Sequence, residues 1–224
     1  MSAIFVTSTG TDLGKSFIAC GLVAELRRRG RKVEALKPVM SGFDPAQAAK
    51  SDAGLLLRAL GRDITPTTLD AMAPWRYAAP LSPDMAARLE GKAVDVPALI
   101  EFCRRAMTAK TDLVIEGVGG IMAPLTPDKT ALDWMEALRL PLILVAGSYL
   151  GSLSHTLSAL DVLARHNLAV KAVVVSESAG STVPLPDTVA SLRGFAPATE
   201  IVALPRLAGR DRPHATFSRL ADLI

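Results

Sequence analysis

The sequence predicts an α/β fold in which a mostly parallel sheet of about seven strands is flanked by helices on both faces. Three observations carry that expectation. Short continuous apolar runs recur along the chain, amphipathic segments of helical length separate them, and glycine or hydroxyl residues follow several of the runs. A run that is apolar at every position suits a strand buried on both sides, which requires helices above and below the sheet. With 224 residues and 50% hydrophobic composition, the chain is expected to enclose such a core as one domain spanning 1–224.

The first element is the run Ala3-Ile4-Phe5-Val6. It leads into Thr7-Ser8-Thr9-Gly10-Thr11-Asp12-Leu13-Gly14-Lys15-Ser16 and an amphipathic helix over 15–29. A short strand, a loop of small residues and Gly-Lys-Ser at a helix start form the layout of a phosphate-binding P-loop, so the expected fold is of the P-loop NTPase type. Small residues let backbone N–H groups converge on phosphate oxygens, and the positive end of the helix adds to the attraction. In that pattern Lys15 neutralises charge on the β- and γ-phosphates, and the Ser16 hydroxyl ligates Mg²⁺. The common pattern has glycine at position 9, where this chain has Thr9. The cluster Arg27, Arg28, Arg29, Arg31 and Lys32 closes the helix, its cations facing the negative pole of the dipole and Gly30 standing just beyond the end.

Further strands are expected over 33–36, 113–115, 142–145, 172–175 and 201–204, with helices over 52–60, 97–109, 131–138, 153–166 and 187–192. Residues 62–96, which include Pro66, Pro74, Pro80 and Pro83, read as irregular apart from a short helix near 82–89. Open α/β sheets bind ligands beyond the carboxyl ends of their strands, so the residues that follow each run matter most. They are Lys37-Pro38-Val39-Met40-Ser41-Gly42, Glu116-Gly117-Val118-Gly119-Gly120 and Ala146-Gly147-Ser148. Proline after Lys37 keeps that lysine extended. Glu116, behind three apolar residues, stands where an acid would hold Mg²⁺ or its water shell. Asp52, in Ser51-Asp52-Ala53, is a second candidate ligand, with a capping or first-turn acid as its alternative reading. Mg²⁺ takes octahedral oxygen coordination, which Ser16, the two carboxylates, phosphate oxygens and water can supply.

Composition narrows the partners. A net charge of +3 is too small to argue for nucleic acid. Cys20 and Cys103 lack metal-binding spacing, and two cysteines do not form a disulfide framework in a chain of this length, so both are expected as buried thiols in a reducing compartment. No run reaches the length of a membrane span, and Met1-Ser2 leads straight into the first strand without a leader pattern. The expectation is a soluble, unexported, cytoplasmic protein with no membrane partner.

The ordered motifs resemble those of the ATP-dependent dethiobiotin synthetases (dethiobiotin synthases). The likeness rests on Phe5-Val6-Thr7 with Thr9, Thr11 and Gly14-Lys15-Ser16, on Lys37-Pro38-Val39 with Ser41-Gly42, and on Ser51-Asp52-Ala53. It continues through Ala79-Pro80, Ser82-Pro83, Glu116-Gly117-Val118-Gly119-Gly120, Pro124-Leu125, Asp133-Trp134 and Leu150-Gly151 with His155, covering roughly residues 3–207. The resemblance implies an Mg²⁺-dependent cyclo-ligase of biotin biosynthesis. Such an enzyme closes the ureido ring of 7,8-diaminononanoate with CO₂ and ATP, giving dethiobiotin, ADP and phosphate. It assigns catalysis to Lys37, Lys15 and Thr11, and metal binding to Ser16, Asp52 and Glu116. It places ATP on Asp12, Leu13, Gly14, Lys15, Ser16, Asp52, Glu116, Gly117, Val118 and Gly119, with Ser176, Glu177, Pro205, Arg206, Leu207 and Asp211 on the base side. Thr11, Lys37, Ser41 and the segment Leu150, Gly151, Ser152, Leu153, Ser154 are the implied substrate contacts. The last of these acts across the interface of a homodimer with active sites at that interface. His155 is given no chemistry.

Several residues depart from the family pattern. Ser8 replaces a usual glycine, and a left-handed backbone there would cost about 1–2 kcal/mol unless Gly10 takes the bend. Gly10 itself replaces an acid, and Asp12 a more frequent glutamate. Ser176 replaces the asparagine of an adenine-contacting pair, which removes one donor–acceptor group at about 0.5–1.5 kcal/mol, up to roughly tenfold in ATP affinity. Two rival readings remain at this stage. A related amide-forming ligase usually carries a fused glutaminase domain, for which the chain leaves no room. An ATPase switch of the partition or septum-positioning kind has a second lysine at the position of Gly10.

Overall fold

A computed structural model of the chain describes residues 2–207 and 214–224. Its strands are β1 (Ala3–Ser8), β2 (Val33–Leu36), β3 (Val39–Met40), β4 (Trp75–Arg76), β5 (Asp112–Glu116), β6 (Leu142–Gly147), β7 (Val170–Ser176) and β8 (Ile201–Leu204). The α-helices are α1 (Lys15–Arg28), α2 (Asp52–Ala59), α3 (Pro66–Met72), α4 (Pro83–Leu89), α5 (Val96–Ala106), α6 (Ala131–Leu138), α7 (Ser152–Arg165), α8 (Leu185–Phe195) and α9 (Ala215–Asp222), with a 3₁₀ helix at Pro45–Lys50. The central sheet runs β2-β5-β1-β6-β7-β8, parallel throughout.

That sheet has six strands among the described residues rather than the expected seven or so. Each of the six apolar runs became one of them. The chain leaves the sheet after β2 because Pro38 has no N–H to continue the ladder. Its carbonyl instead accepts from Trp75 N at 3.1 Å, and β3 pairs with β4 in a separate two-stranded sheet.

The strands are buried on both faces, and successive residues serve opposite cores. Ile4 and Val6 of β1 belong to the layer with Ile18, Leu22 and Leu26 of α1, Leu56 of α2 and Phe217 of α9. Phe5 belongs to the other, with Leu99 of α5, Trp134 of α6, Leu163 of α7 and Leu192 of α8. Phe5 and Trp134 meet edge to face at 4.8 Å, a favoured arrangement for two aromatic quadrupoles. Gly21 lets α9 approach α1, since a Cβ there would lie 2.2 Å from the Phe217 ring.

The region expected to be irregular, residues 62–96, holds α3, β4 and α4. The short helix expected near 82–89 is α4, whereas α3 and β4 were not expected, the prolines being the misleading signal. Pro66 and Pro83 open α3 and α4, where a missing N–H costs nothing. The helix expected over 97–109 runs instead from Val96 to Ala106, and α8 extends beyond the expected 187–192 at both ends. Cys103 is buried, and its thiol is pushed up to about 12 by that burial. Cys20 is only partly buried, contrary to expectation. Among the described residues no helix is long and apolar enough to cross a membrane.

The basic end of α1 is built as the sequence suggests. Gly30 has φ +74°, and Arg31 N donates to Leu26 O at 3.1 Å, closing a six-to-one turn. Glu25 receives both Arg28 and Arg29, plus the Ser218 hydroxyl of α9. The hydrogen bond from Arg28, with those from Arg29 and Ser218, holds the Glu25 carboxyl down to about 2. A carboxyl depressed in the folded state stabilises fully above its unfolded value and loses that contribution as pH falls through the folded one. Glu25→Gln should therefore flatten the fall in Tm between about pH 5 and pH 3. Thermal unfolding by circular dichroism checks this, and parallel curves would remove Glu25 from the α1–α9 junction.

Candidate active site

The P-loop leaves the carboxyl end of β1, anchored by Thr9 N donating to Val145 O of β6 at 2.9 Å. Ser8 is the last strand residue, so it is extended; the left-handed positions are Asp12 (φ +58°) and Gly14 (φ +95°). The bend thus lies at neither position 8 nor position 10. A side chain on Gly14 would be strained by that angle and would stand 3.2 Å from Ser176 Oγ. The helix start carries no side-chain cap, which leaves its first N–H groups for an anion. Ser8 has a different use from the strained bend that its replacement of a glycine suggested. Its Oγ accepts from Lys15 Nζ at 2.9 Å and lies 2.8 Å from Gly119 O, so it fixes the lysine inside the loop. Lys15 Nζ also donates to Gly10 O at 3.2 Å. Burial, with Lys37 nearby, lowers Lys15 to about 8.

Beside it four side chains interlock. Lys37 Nζ donates to Glu116 Oε1 at 2.7 Å and to Gly117 O at 2.7 Å, and pairs with Asp52 Oδ2 at 3.1 Å. Ser16 Oγ lies 2.6 Å from Asp52 Oδ1 and 2.7 Å from Glu116 Oε1. Asp52 is in the first turn of α2, but Ser51 caps that helix through Gly54 N, so the aspartate is turned toward the loop. Burial opposes charge on all three ionisable groups. Glu116 and Asp52 more than offset it for Lys37, whose ammonium is held above the usual lysine value. Lys37 and Ser16 do the same for Asp52, whose carboxyl lies below its ordinary value.

These oxygens fit a hard divalent cation. A serine hydroxyl has one proton and cannot donate to both carboxylates together, so one of its two short contacts lacks a hydrogen. Glu116 Oε2 is buried with no hydrogen-bond partner. A cation held between Ser16, Asp52 and Glu116 would remove the need for that missing hydrogen, and an all-oxygen donor set suits Mg²⁺.

Two cavities meet at the loop. The larger, about 810 Å³, is bordered by Thr11, Lys15, Ser16, Lys37, Ser41, Asp52 and Glu116, and by Val118 and Gly119 beyond β5. Ser41 Oγ is buried without a hydrogen-bond partner. The smaller, about 520 Å³, is bordered by Leu13, Ser176, Glu177, Pro205, Arg206 and Leu207. Asp12 and Gly14 border both. Glu177 Oε2 accepts from Arg206 N at 2.8 Å, which sets the wall of the smaller cavity. Gly117 takes part through its carbonyl. Leu150, Gly151, Ser152, Leu153 and Ser154 border neither cavity; they lead into and begin α7 on the same rim of the sheet, with Leu150, Gly151 and Ser154 exposed and Ser152 buried. Asp211 lies outside the described residues.

Sequence reasoning missed several lining residues. Pro80, Leu81, Ser82 and Pro124 border the larger cavity, and Phe17 and Ser178 the smaller. Pro80, Ser82 and Pro124 sit within family motifs already noted, which was the available signal, and Leu81 lies between two of them. Phe17 reads as an ordinary helix-core residue, so nothing marked it. Ser178 exchanges hydrogen bonds with Ser148, each backbone N donating to the other's hydroxyl at 3.1 Å.

Comparison with known proteins bears on this geometry. A family model described as an AAA domain matches residues 2–214. The ATP-dependent dethiobiotin synthetase BioD of Methylobacterium nodulans is 49% identical over 197 residues, covering 85% of this chain and 87% of the relative. That of Phenylobacterium zucineum is 48% identical over 210 residues, covering 92% and 89%. Among solved structures, the septum site-determining protein MinD of Pyrococcus horikoshii, complexed with Mg-ADP, superposes with a TM-score of 0.60 at 17% identity, covering 99% of this chain and 94% of that one. At that identity the likeness speaks for the fold alone. The curated relatives, covering nearly the whole chain at close to half identity, settle the kinship: the chain belongs to the ATP-dependent dethiobiotin synthetase family.

Proposed function

We propose that the chain closes the ureido ring of 7,8-diaminononanoate with CO₂ and Mg-ATP, giving dethiobiotin, ADP and phosphate. The observation that carries this reading is the meeting of Lys15, Ser16, Lys37, Asp52 and Glu116 on one cavity that joins a second at Asp12 and Gly14. A nucleotide laid across that junction has its phosphates at the lysines and its base against Ser176 and Glu177. Ser176 offers one hydroxyl there, so base selection rests chiefly on Glu177 and the backbone.

The residues act in sequence on the reacting atoms. One substrate amine adds to CO₂ and loses a proton, forming a carbamate; Lys37, beside the diamine, lowers the amine's pKa and so favours the neutral, reactive form. Thr11 and Ser41 orient the diamine, the buried Ser41 hydroxyl having no competing partner. A carbamate oxygen then attacks the γ-phosphorus and ADP leaves. Lys15 and Lys37 offset the charge that moves with the phosphoryl group, and the N–H groups at the start of α1 hold the phosphates. The second amine attacks the carbamate carbon, phosphate departs, and the ring is closed. Ser16, Asp52 and Glu116 would hold Mg²⁺, which when bound would neutralise charge on the nucleotide phosphates. The substrate carboxylate is received by the N–H groups left free in the segment Leu150–Ser154 of a second copy of the chain, a homodimeric arrangement supported by the 91% exposure of Leu150 at that tip.

Mass spectrometry should detect dethiobiotin from diaminononanoate, bicarbonate and ATP; saturating nucleotide with no product would overturn the reading. Lys37→Ala should retain nucleotide binding by calorimetry while kcat drops by about 10²–10³-fold, and near-normal turnover would take Lys37 out of the chemistry. Leu150→Arg should shift sedimentation toward monomer and raise KM for the diamine; an unchanged sedimentation profile would separate this segment from the interface.

A further inference from the structure

We infer that Lys37 is the built-in counter-cation of the metal site: a divalent ion gains Asp52 and Glu116 only by displacing the Lys37 ammonium, and the displacement turns that ammonium toward the phosphates. The inference rests on the reading that Ser16, Asp52 and Glu116 are metal ligands.

Three features carry it. Lys37 Nζ lies 2.7 Å from Glu116 Oε1 and 3.1 Å from Asp52 Oδ2, the two carboxylates whose other contact is Ser16. It therefore sits on ligand atoms rather than beside them. The side chains of Lys37 and Glu116 are 3% and 1% exposed, so water has little access to Glu116 when the ammonium leaves, whereas Asp52, 42% exposed, also meets solvent. The buried Glu116 carboxylate keeps its charge only beside a cation, because a buried charge without its partner is far more costly than a paired one. The third feature is Gly117 O, also 2.7 Å from Nζ and bound to neither carboxylate. Retaining that bond, the ammonium can pivot away from Asp52 and Glu116 while staying at the edge of the larger cavity.

The exchange has an electrostatic consequence. Replacing one positive charge by two, with the displaced ammonium still nearby, leaves the site with an excess that an incoming polyphosphate cancels. Metal without nucleotide should bind weakly, and metal with nucleotide well. Lys37 in this account sets the order of assembly as well as serving the reaction.

The test is Mn²⁺ affinity, read from the electron paramagnetic resonance of the free ion. In Lys37→Met, which keeps the apolar stem, the Kd for Mn²⁺ alone should fall by about tenfold or more, and the gap from the parent should narrow when ADP is added. Lys15→Met, which removes a charge that contacts neither carboxylate, should change the Kd for Mn²⁺ less. Equal affinity in Lys37→Met and the parent would overturn the inference, as would equal gains in the two lysine variants. Asp52→Asn separates the failures: if it leaves Mn²⁺ affinity unchanged, the assignment of the metal ligands falls as well. A measurement on the unmodified chain guards against misfolding of Lys37→Met. Acetylation of Lys37, followed by mass spectrometry, should rise on adding Mn²⁺, and unchanged labelling would also overturn the displacement.

Discussion

The register of three parallel strands governs the site. Val6 of β1 pairs with Glu116 of β5, and Leu36 of β2 with Ile115. Lys37 is thereby carried to the flank of Glu116, and both stand near the carboxyl end of β1, from which the P-loop departs. A strand slipped by one residue exchanges its two faces. Here it would bury Glu116 under an apolar helix layer and push Ile115 to the rim. The alternation that fills the two cores therefore also fixes the position of the charged groups. Phe5, Leu113 and Ile115 face one layer; Ile4, Val6 and Val114 face the other.

That arrangement explains how a largely apolar chain tolerates so much charge near its centre. Lys15, Lys37 and Glu116 are all buried, yet each is drawn into pairing or hydrogen bonding at the carboxyl edge, where the strands end and backbone carbonyls become available. Gly10 O, Gly117 O and Gly119 O all take part. Small residues at these positions bring main-chain oxygens close enough to serve as partners. Burial without them would drive the lysines toward neutrality, and Lys15, lowered to about 8, is already part of the way there.

Much of the fold was legible because strand burial writes itself as unbroken apolar runs: residues 3–6, 113–115 and 142–145 each lie within a strand of the sheet. Prolines were harder. The same ring that breaks a helix interior opens an unexpected helix at Pro66, and composition does not tell the two uses apart. α9 escaped notice because its apolar stripe, Phe217, Leu220 and Ala221, is brief and follows a polar stretch. At the site, the gathering of Ser16, Lys37, Asp52 and Glu116 on one cavity followed from their places after strands and at a helix start. Their mutual bonding did not, since a sequence gives the neighbourhood of side chains but not which charge neutralises which. Ser8 shows the same limit: substitution for glycine suggested backbone strain, whereas the residue ends a strand and contributes a hydroxyl.

The paired hydrogen bonds between Ser148 and Ser178 have a mechanical meaning. They lash together the loop that precedes α7 and the loop that borders the smaller cavity, so neither can wander without dragging its neighbour. With both loops rooted in adjacent strands, the spacing between the wall of that cavity and the start of α7 is graduated by the sheet itself.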